Sequence, residues 1–348
     1  MRNNSIVAPT PGRFLKNLFS VVSVFSCAIA IASAASTALL NASFDVSRQL
    51  FDQINPAFIQ RWKAQTGETL TINQSHAGST KQARSVIEGL EADVVTLNQA
   101  TDVDAIAAQS KLLPDNWRTL LPNHSSPYTS AIIFLVRKGN PKGIKDWDDL
   151  VKDNVSVVVP NPKTSGNGRY SYLSAYAFAL QKFTNNDAKA REFVAALFKN
   201  VPVLDTGGRG ATTTFAQRDI GDVLLTFESE VLLTVNELGA DKFDVVVPSQ
   251  SVLAEMPVAV VQRVASKHDT ERVARAYLEF LYTEEAQDII AKNFYRPRSA
   301  VVVKRYEKQF APLKFVSVDD VFGGWAKAQK THFADGGVFD QIQQANRQ

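Results

Sequence analysis

Strand and helix segments alternate along this 348-residue sequence, and that order predicts an α/β fold. Length predicts two lobes, because the chain exceeds the range over which a single hydrophobic core keeps growing. No low-complexity tract or long linker divides the halves, so the chain is expected to cross between lobes more than once. The expected division puts residues 35–120 and 230–295 in one lobe, 121–229 in the other, and 296–348 across both. A ligand of such a fold sits in the cleft, where strand carboxyl ends meet helix starts.

The first strand is expected over 39–43, followed by a helix whose inward stripe is Phe51, Ile54, Phe58 and Trp62. An alternating strand over 70–74 leads to a helix over 80–90 and a strand over 92–97. Apolar runs predict strands over 128–137 and 155–159. A helix is expected over 170–183, a strand over 201–205 and a helix over 211–218. Strands over 221–227 and 243–247 then flank a helix over 230–238. In the tail, Phe322, Trp325 and the amphipathic stretch 326–333 are expected to pack rather than to bind a ligand.

The amino terminus carries Arg2, Arg13 and Lys16 ahead of an apolar stretch over 18–31, and Ala32-Ser33-Ala34 supplies small residues at cleavage spacing. This is the pattern of a secretory signal cut after Ala34, and it implies export to the periplasm. Removing 34 residues leaves about 314 and takes away three basic and no acidic side chains, so the formal charge of +3 falls to zero. A neutral mature chain offers no polybasic surface for nucleic acid or anionic lipid. Cys27 is the only cysteine and lies in the leader, so neither a disulfide nor a thiolate metal site is open to the mature chain.

Three loops of similar composition stand between a strand and a helix. In Asn161-Pro162-Lys163-Thr164-Ser165-Gly166-Asn167-Gly168-Arg169, Pro162 stops the strand while Gly166 and Gly168 let successive N–H groups converge. His76-Ala77-Gly78-Ser79 has Ser79 where an N-cap residue would stand, and Thr206-Gly207-Gly208-Arg209-Gly210 repeats the arrangement. Helix starts carry unpaired N–H groups and partial positive charge, so each loop can face an anion. Taken singly, each also reads as an ordinary chain reversal with a cap. Three of one composition favour a shared buried anion.

These residues resemble the periplasmic sulfate-binding proteins that serve ABC importers. The resemblance runs from Leu39 to Asp340 and is carried by KAQTGETLTINQS, HAGSTKQA, EADVVTLN, PYTSAIIFLVRKGNP, NPKTSGNGR, KNFYRPR and VFGGWAKAQ, of which NPKTSGNGR is the most specific. It implies the two-lobed periplasmic-binding-protein fold of type II, closed over one dehydrated sulfate held by neutral donors, with no cofactor, no metal and no countercation. Carried over by position, the donors are the Asp45 backbone, the Ser79 and Ser165 hydroxyls, and the backbone N–H groups of Gly166, Asn167 and Gly208. Arg169 supports its loop without touching the anion. The implied partners are sulfate or thiosulfate and an inner-membrane ABC permease, with the receptor acting as a monomer. Sulfate has no proton to donate, so a pocket of donors suits it and leaves monohydrogen phosphate without an acceptor.

Two positions depart from the family pattern. Phe227 stands where well-known members carry a tryptophan whose indole N–H reaches the sulfate, a loss worth roughly 1.5–3 kcal/mol unless Thr226, Ser229 or water replaces the donor. Otherwise Phe227 is simply a core aromatic. Asn167 stands in place of a glycine and adds a side chain near the pocket, which opens the site to thiosulfate. The enzyme alternative is a periplasmic hydrolase acting on a sulfate or phosphate ester in the same cleft. Against it, His76, His124, His268 and His332 lack metal-ligand spacing, and no nucleophile elbow or nucleotide-binding Gly-Lys-Ser/Thr ending is present. His76 is expected to make a structural hydrogen bond, and Glu228 and Glu230 to face solvent or support their neighbours.

Overall fold

The computed structural model describes residues 37–347. The leader over 1–34 and its cleavage near Ala34 therefore lie outside the described residues. Strand β1 (Thr37–Phe44) runs parallel to β2 (Leu70–Ala77) along their full lengths, and β3 (Val94–Thr96) lies parallel on the other side of β1. Leu39, Ala42, Val94 and Val95 are fully buried, as in a sheet covered on both faces. Helix Arg48–Thr66 turns Leu50, Phe51, Ile54, Phe58 and Trp62 onto one side of this sheet. It stops at Gly67, whose φ of 75° returns its N–H to the Lys63 carbonyl at 2.9 Å, a conformation glycine adopts freely.

The apolar run expected as one strand over 128–137 is two, β4 (Tyr128–Ser130) and β5 (Ile132–Arg137). The break has a hydrogen-bonding cause. The Ala131 carbonyl accepts the Glu228 N–H at 2.8 Å and the Ile132 N–H donates to Ser251 Oγ at 2.8 Å, so the ladder is interrupted there. Strands β6 (Val157–Pro160), β7 (Leu204–Asp205), β8 (Val223–Phe227) and β9 (Phe243–Val246) join β5 in a second sheet ordered β7-β6-β8-β5-β9. β6, β7 and β8 are parallel, while β5 runs antiparallel to β8 and β9.

Residues 230–247, expected with the first half, belong with this second sheet. Helix Glu228–Leu238 packs on β5 and β9, and β9 pairs with β5 because the run Phe243–Val246 finds an open sheet edge. The return passage comes later, through β10 (Gln250–Val252), β11 (Ala254–Met256) and β12 (Val258–Val260). β12 closes the first sheet against β3, and β11 pairs antiparallel with β4. The outgoing and returning chains are thus hydrogen bonded to each other, with β13 (Arg296–Pro297) added on the far edge of β4. A last strand, β14 (Lys314–Val316), pairs with β10.

The aromatic residues of the tail gather on helix Gly166–Lys182. Trp325 meets Tyr170 edge-on at 5.1 Å, and Phe333 and Phe339 surround Tyr172, whose hydroxyl hydrogen bonds His332 Nδ1 at 3.0 Å. The turn Trp325–Ala328 also touches helix Ala100–Ser110 of the first half.

Candidate anion-binding site

Five loops meet between the sheets, and the glycines show how closely. A side chain on Gly78 would put its Cβ 2.7 Å from the Thr164 carbonyl and 2.9 Å from that of Thr206, so the loop after β2 abuts both loops of the second half. On Gly207 a Cβ would lie 2.2 Å from Asp45 Oδ2, and on Gly208 it would lie 2.7 Å from Asn167 Nδ2. On Gly166 it would lie 1.9 Å from Asn98 Oδ1. No real contact is that short, so the backbones can approach only where Cβ is missing. Helices Ser79–Ile87, Gly166–Lys182 and Gly208–Ala216 consequently begin next to one another.

Ser165 is the N-cap of its helix, with Oγ accepting the Gly168 N–H at 3.5 Å, and Asn161 folds the loop by accepting the Ser165 N–H at 2.9 Å. The helix starts at Gly166, four residues before the expected position. Ser79 differs from expectation. Gly78 holds the cap place and Ser79 is the first helical residue; its buried hydroxyl donates to Asp102 Oδ2 at 2.6 Å and accepts the Asn98 N–H at 3.2 Å. Burial raises the Asp102 carboxyl above the usual range, against the opposing pull of Arg169 and Ser79. Arg169 donates from Nε to the Pro162 carbonyl at 2.9 Å and stacks over Phe333 at 5.2 Å. Lys163 ties the same loop to the tail, donating to the Phe333 carbonyl and to Asp340, both at 3.0 Å.

Asp45 begins the turn after β1. Its carboxylate accepts the N–H groups of Val46 and Arg209, each at 3.1 Å, which links the first half to the loop before Gly208–Ala216. Burial raises this carboxyl too. Phe227 is fully buried, with its ring against Phe44 at 6.4 Å and Tyr170 at 5.8 Å. It is a core aromatic shared by both halves, and the helix Glu228–Leu238 starts directly after it.

Glu228 and Glu230 do not face solvent. Glu228 is buried against the Arg296 guanidinium at 2.6 and 2.8 Å. Glu230 is enclosed and its carboxyl is pushed up to about 7 by burial, with Arg209 Nη2 3.3 Å away but not aligned for a hydrogen bond. His76 lies in β2 and contacts the Phe44 carbonyl through Nδ1 at 3.4 Å, a structural contact. Among the described residues no three His, Cys, Asp or Glu side chains are grouped to hold a metal.

Asn98, Gln99 and Asp102 were missed by sequence reasoning. The turn after β3 is another strand-to-helix turn, but Asn98 and Gln99 replace the glycines that marked the other loops, so its only signal was the position of the turn.

A site of this kind, between two α/β halves with helix starts converging on it, defines a class of binding protein. The profile of the bacterial extracellular solute-binding proteins matches residues 46–296, and the chain belongs to that family. It is 59% identical to a sulfate-binding protein of Salmonella typhimurium over 304 residues, covering 87% of this chain and 92% of that protein. It is 55% identical to a thiosulfate-binding protein of Pseudomonas aeruginosa, covering 95% of this chain and all of the relative. Among solved structures, the sulfate-binding protein SubI from Mycobacterium tuberculosis aligns with a TM-score of 0.76 at 29% identity, covering 84% of this chain and 98% of that one. The fold is the two-lobed periplasmic-binding-protein fold of type II.

Proposed function

We propose that this protein is a periplasmic receptor that captures sulfate or thiosulfate in its cleft and delivers it to an inner-membrane ABC permease, working as a monomer. The observation that carries the reading is the abutment of Gly78 on Thr164 and Thr206, which draws three helix starts and the buried hydroxyls of Ser79 and Ser165 together. In this reading the backbone N–H groups of Asp45, Gly166, Asn167 and Gly208 and the two hydroxyls donate to the anion, while Arg169 holds its loop. A dianion stripped of water is stabilised by such fixed dipoles without a countercation. On binding, Ser79 redirects its one hydroxyl proton from Asp102 to the anion, and Thr80 and Arg169 remain beside the carboxylate.

Phosphate is rejected because its proton has no acceptor to receive it. The six groups assigned to the anion in this reading all donate to it, so none of them receives that proton, and the Asp45 carboxylate is turned to the Val46 and Arg209 N–H groups. The paired passages β4 and β11 form the hinge about which the halves close. Calorimetric titration with sulfate, thiosulfate, phosphate and molybdate tests the reading. Sulfate or thiosulfate should bind and be recovered unchanged, and phosphate should not compete. If neither sulfur oxyanion binds, or if sulfate or phosphate esters are hydrolysed, the receptor reading is wrong.

A further inference from the structure

We propose that the side-chain carboxamide of Asn167 is itself a ligand of the anion, a role that rests on the receptor reading above. Asn167 is 1% exposed, at the second position of helix Gly166–Lys182. Its Nδ2 donates to Thr226 Oγ1 at 2.7 Å, and its Oδ1 is buried with no hydrogen-bond partner among the described residues. The same Nδ2 lies so near Gly208 that a Cβ there would meet it at 2.7 Å. The amide therefore sits between two of the helix starts that converge on the site, beside Gly208, and one end of it is unsatisfied.

An orphaned acceptor buried beside a dianion is unfavourable twice over, for its own lost hydrogen bond and for its repulsion of the ligand. A half-turn about Cβ–Cγ removes both faults. The two ends of a carboxamide have nearly the same size, so the turn needs no repacking. Thr226 is a hydroxyl and can donate as readily as it accepts; after the turn its proton goes to Oδ1, and Nδ2 presents its two protons to the anion. Thr226 immediately precedes Phe227, whose ring offers no polar hydrogen, so the carboxamide is a donor held next to the position where the family pattern has an indole N–H. The anion so served is fully deprotonated and tetrahedral.

The test titrates inorganic sulfate and thiosulfate into the mature protein and into Asn167→Ala, and follows side-chain amide signals of the 15N-labelled wild type by NMR. Alanine keeps the backbone N–H and the helix. Sulfate binding by Asn167→Ala should weaken roughly 10- to 100-fold. The carboxamide pair that is missing from the Asn167→Ala spectrum should shift in the wild type on adding sulfate. If the wild type binds sulfate while Asn167→Ala binds it within about threefold and that signal stays still, the amide only ties Thr226 and the proposal fails. If Asn167→Ala does not fold, the Asn167 carboxamide pair is assigned through its bonds in the 13C,15N-labelled wild type, and its shift or lack of shift decides alone. If the wild type binds neither anion, the receptor reading itself has failed.

Discussion

The ring of Phe227 is held by Phe44 from the first half and Tyr170 from the second, so a larger residue there must displace one of them. Phe227→Trp is expected to destabilise the sulfate-free protein by about 1–3 kcal/mol through overpacking. It should not tighten sulfate, since the Asn167 carboxamide already supplies a donor beside it; a tenfold gain by calorimetry would show that a donor was still wanted. Glu230 gives a pH signature. Its carboxyl is raised to about 7 in the fold and returns to the ordinary range near 4.5 on unfolding, so the folded state holds an extra proton between those values. Stability from this group is therefore fully present below pH 4.5 and is lost as pH rises through 7. Glu230→Gln should leave the melting temperature almost unchanged at pH 4.5 and raise stability at pH 8 by about 2–3 kcal/mol relative to wild type. Equal effects at both values would mean that the carboxyl is not held protonated. The sequence announced Ser165 through its proline and glycines, yet it could not show that Asp45 reaches Arg209 across 164 positions or that Ser79 donates a hydrogen bond to Asp102. Those contacts exist only after the sheets are assembled.

At the scale of elements, the strands were legible because fully buried parallel strands are short apolar runs, as in Val157–Pro160 and Val223–Phe227. Helix starts were less legible. Gly166-Asn167-Gly168 and Gly208-Arg209-Gly210 have poor helix propensity, so periodicity placed the starts at 170 and 211 whereas the first turns begin at 166 and 208. The low propensity is offset by close approach, which only glycine allows at these points. Gly207→Ala tests this directly, because its Cβ would lie 2.2 Å from Asp45 Oδ2 and must displace the carboxylate that accepts the Arg209 N–H. It should weaken sulfate by tenfold or more in calorimetry while the far-ultraviolet circular dichroism stays as in wild type. Unchanged affinity would mean that this contact does not shape the site.

For the whole molecule, sulfate at a thousand times its dissociation constant should stabilise the fold by about 4 kcal/mol, and the gain should vanish when chloride replaces it. Small-angle scattering should show a smaller radius of gyration with sulfate if the halves close about β4 and β11, and an unchanged radius would remove the hinge. Two halves were predictable from length, but the place of the return crossing was not. The chain re-enters the first sheet after β10 rather than at 229, since only three-dimensional pairing reveals that Phe243–Val246 caps an edge of the second sheet. Lys163 carries a further consequence. Its ammonium is fastened to Phe333, Ala334, Asp335 and Asp340, so the loop that opens helix Gly166–Lys182 is clasped by a segment 170 or more positions further along the chain and slackens when that segment lets go.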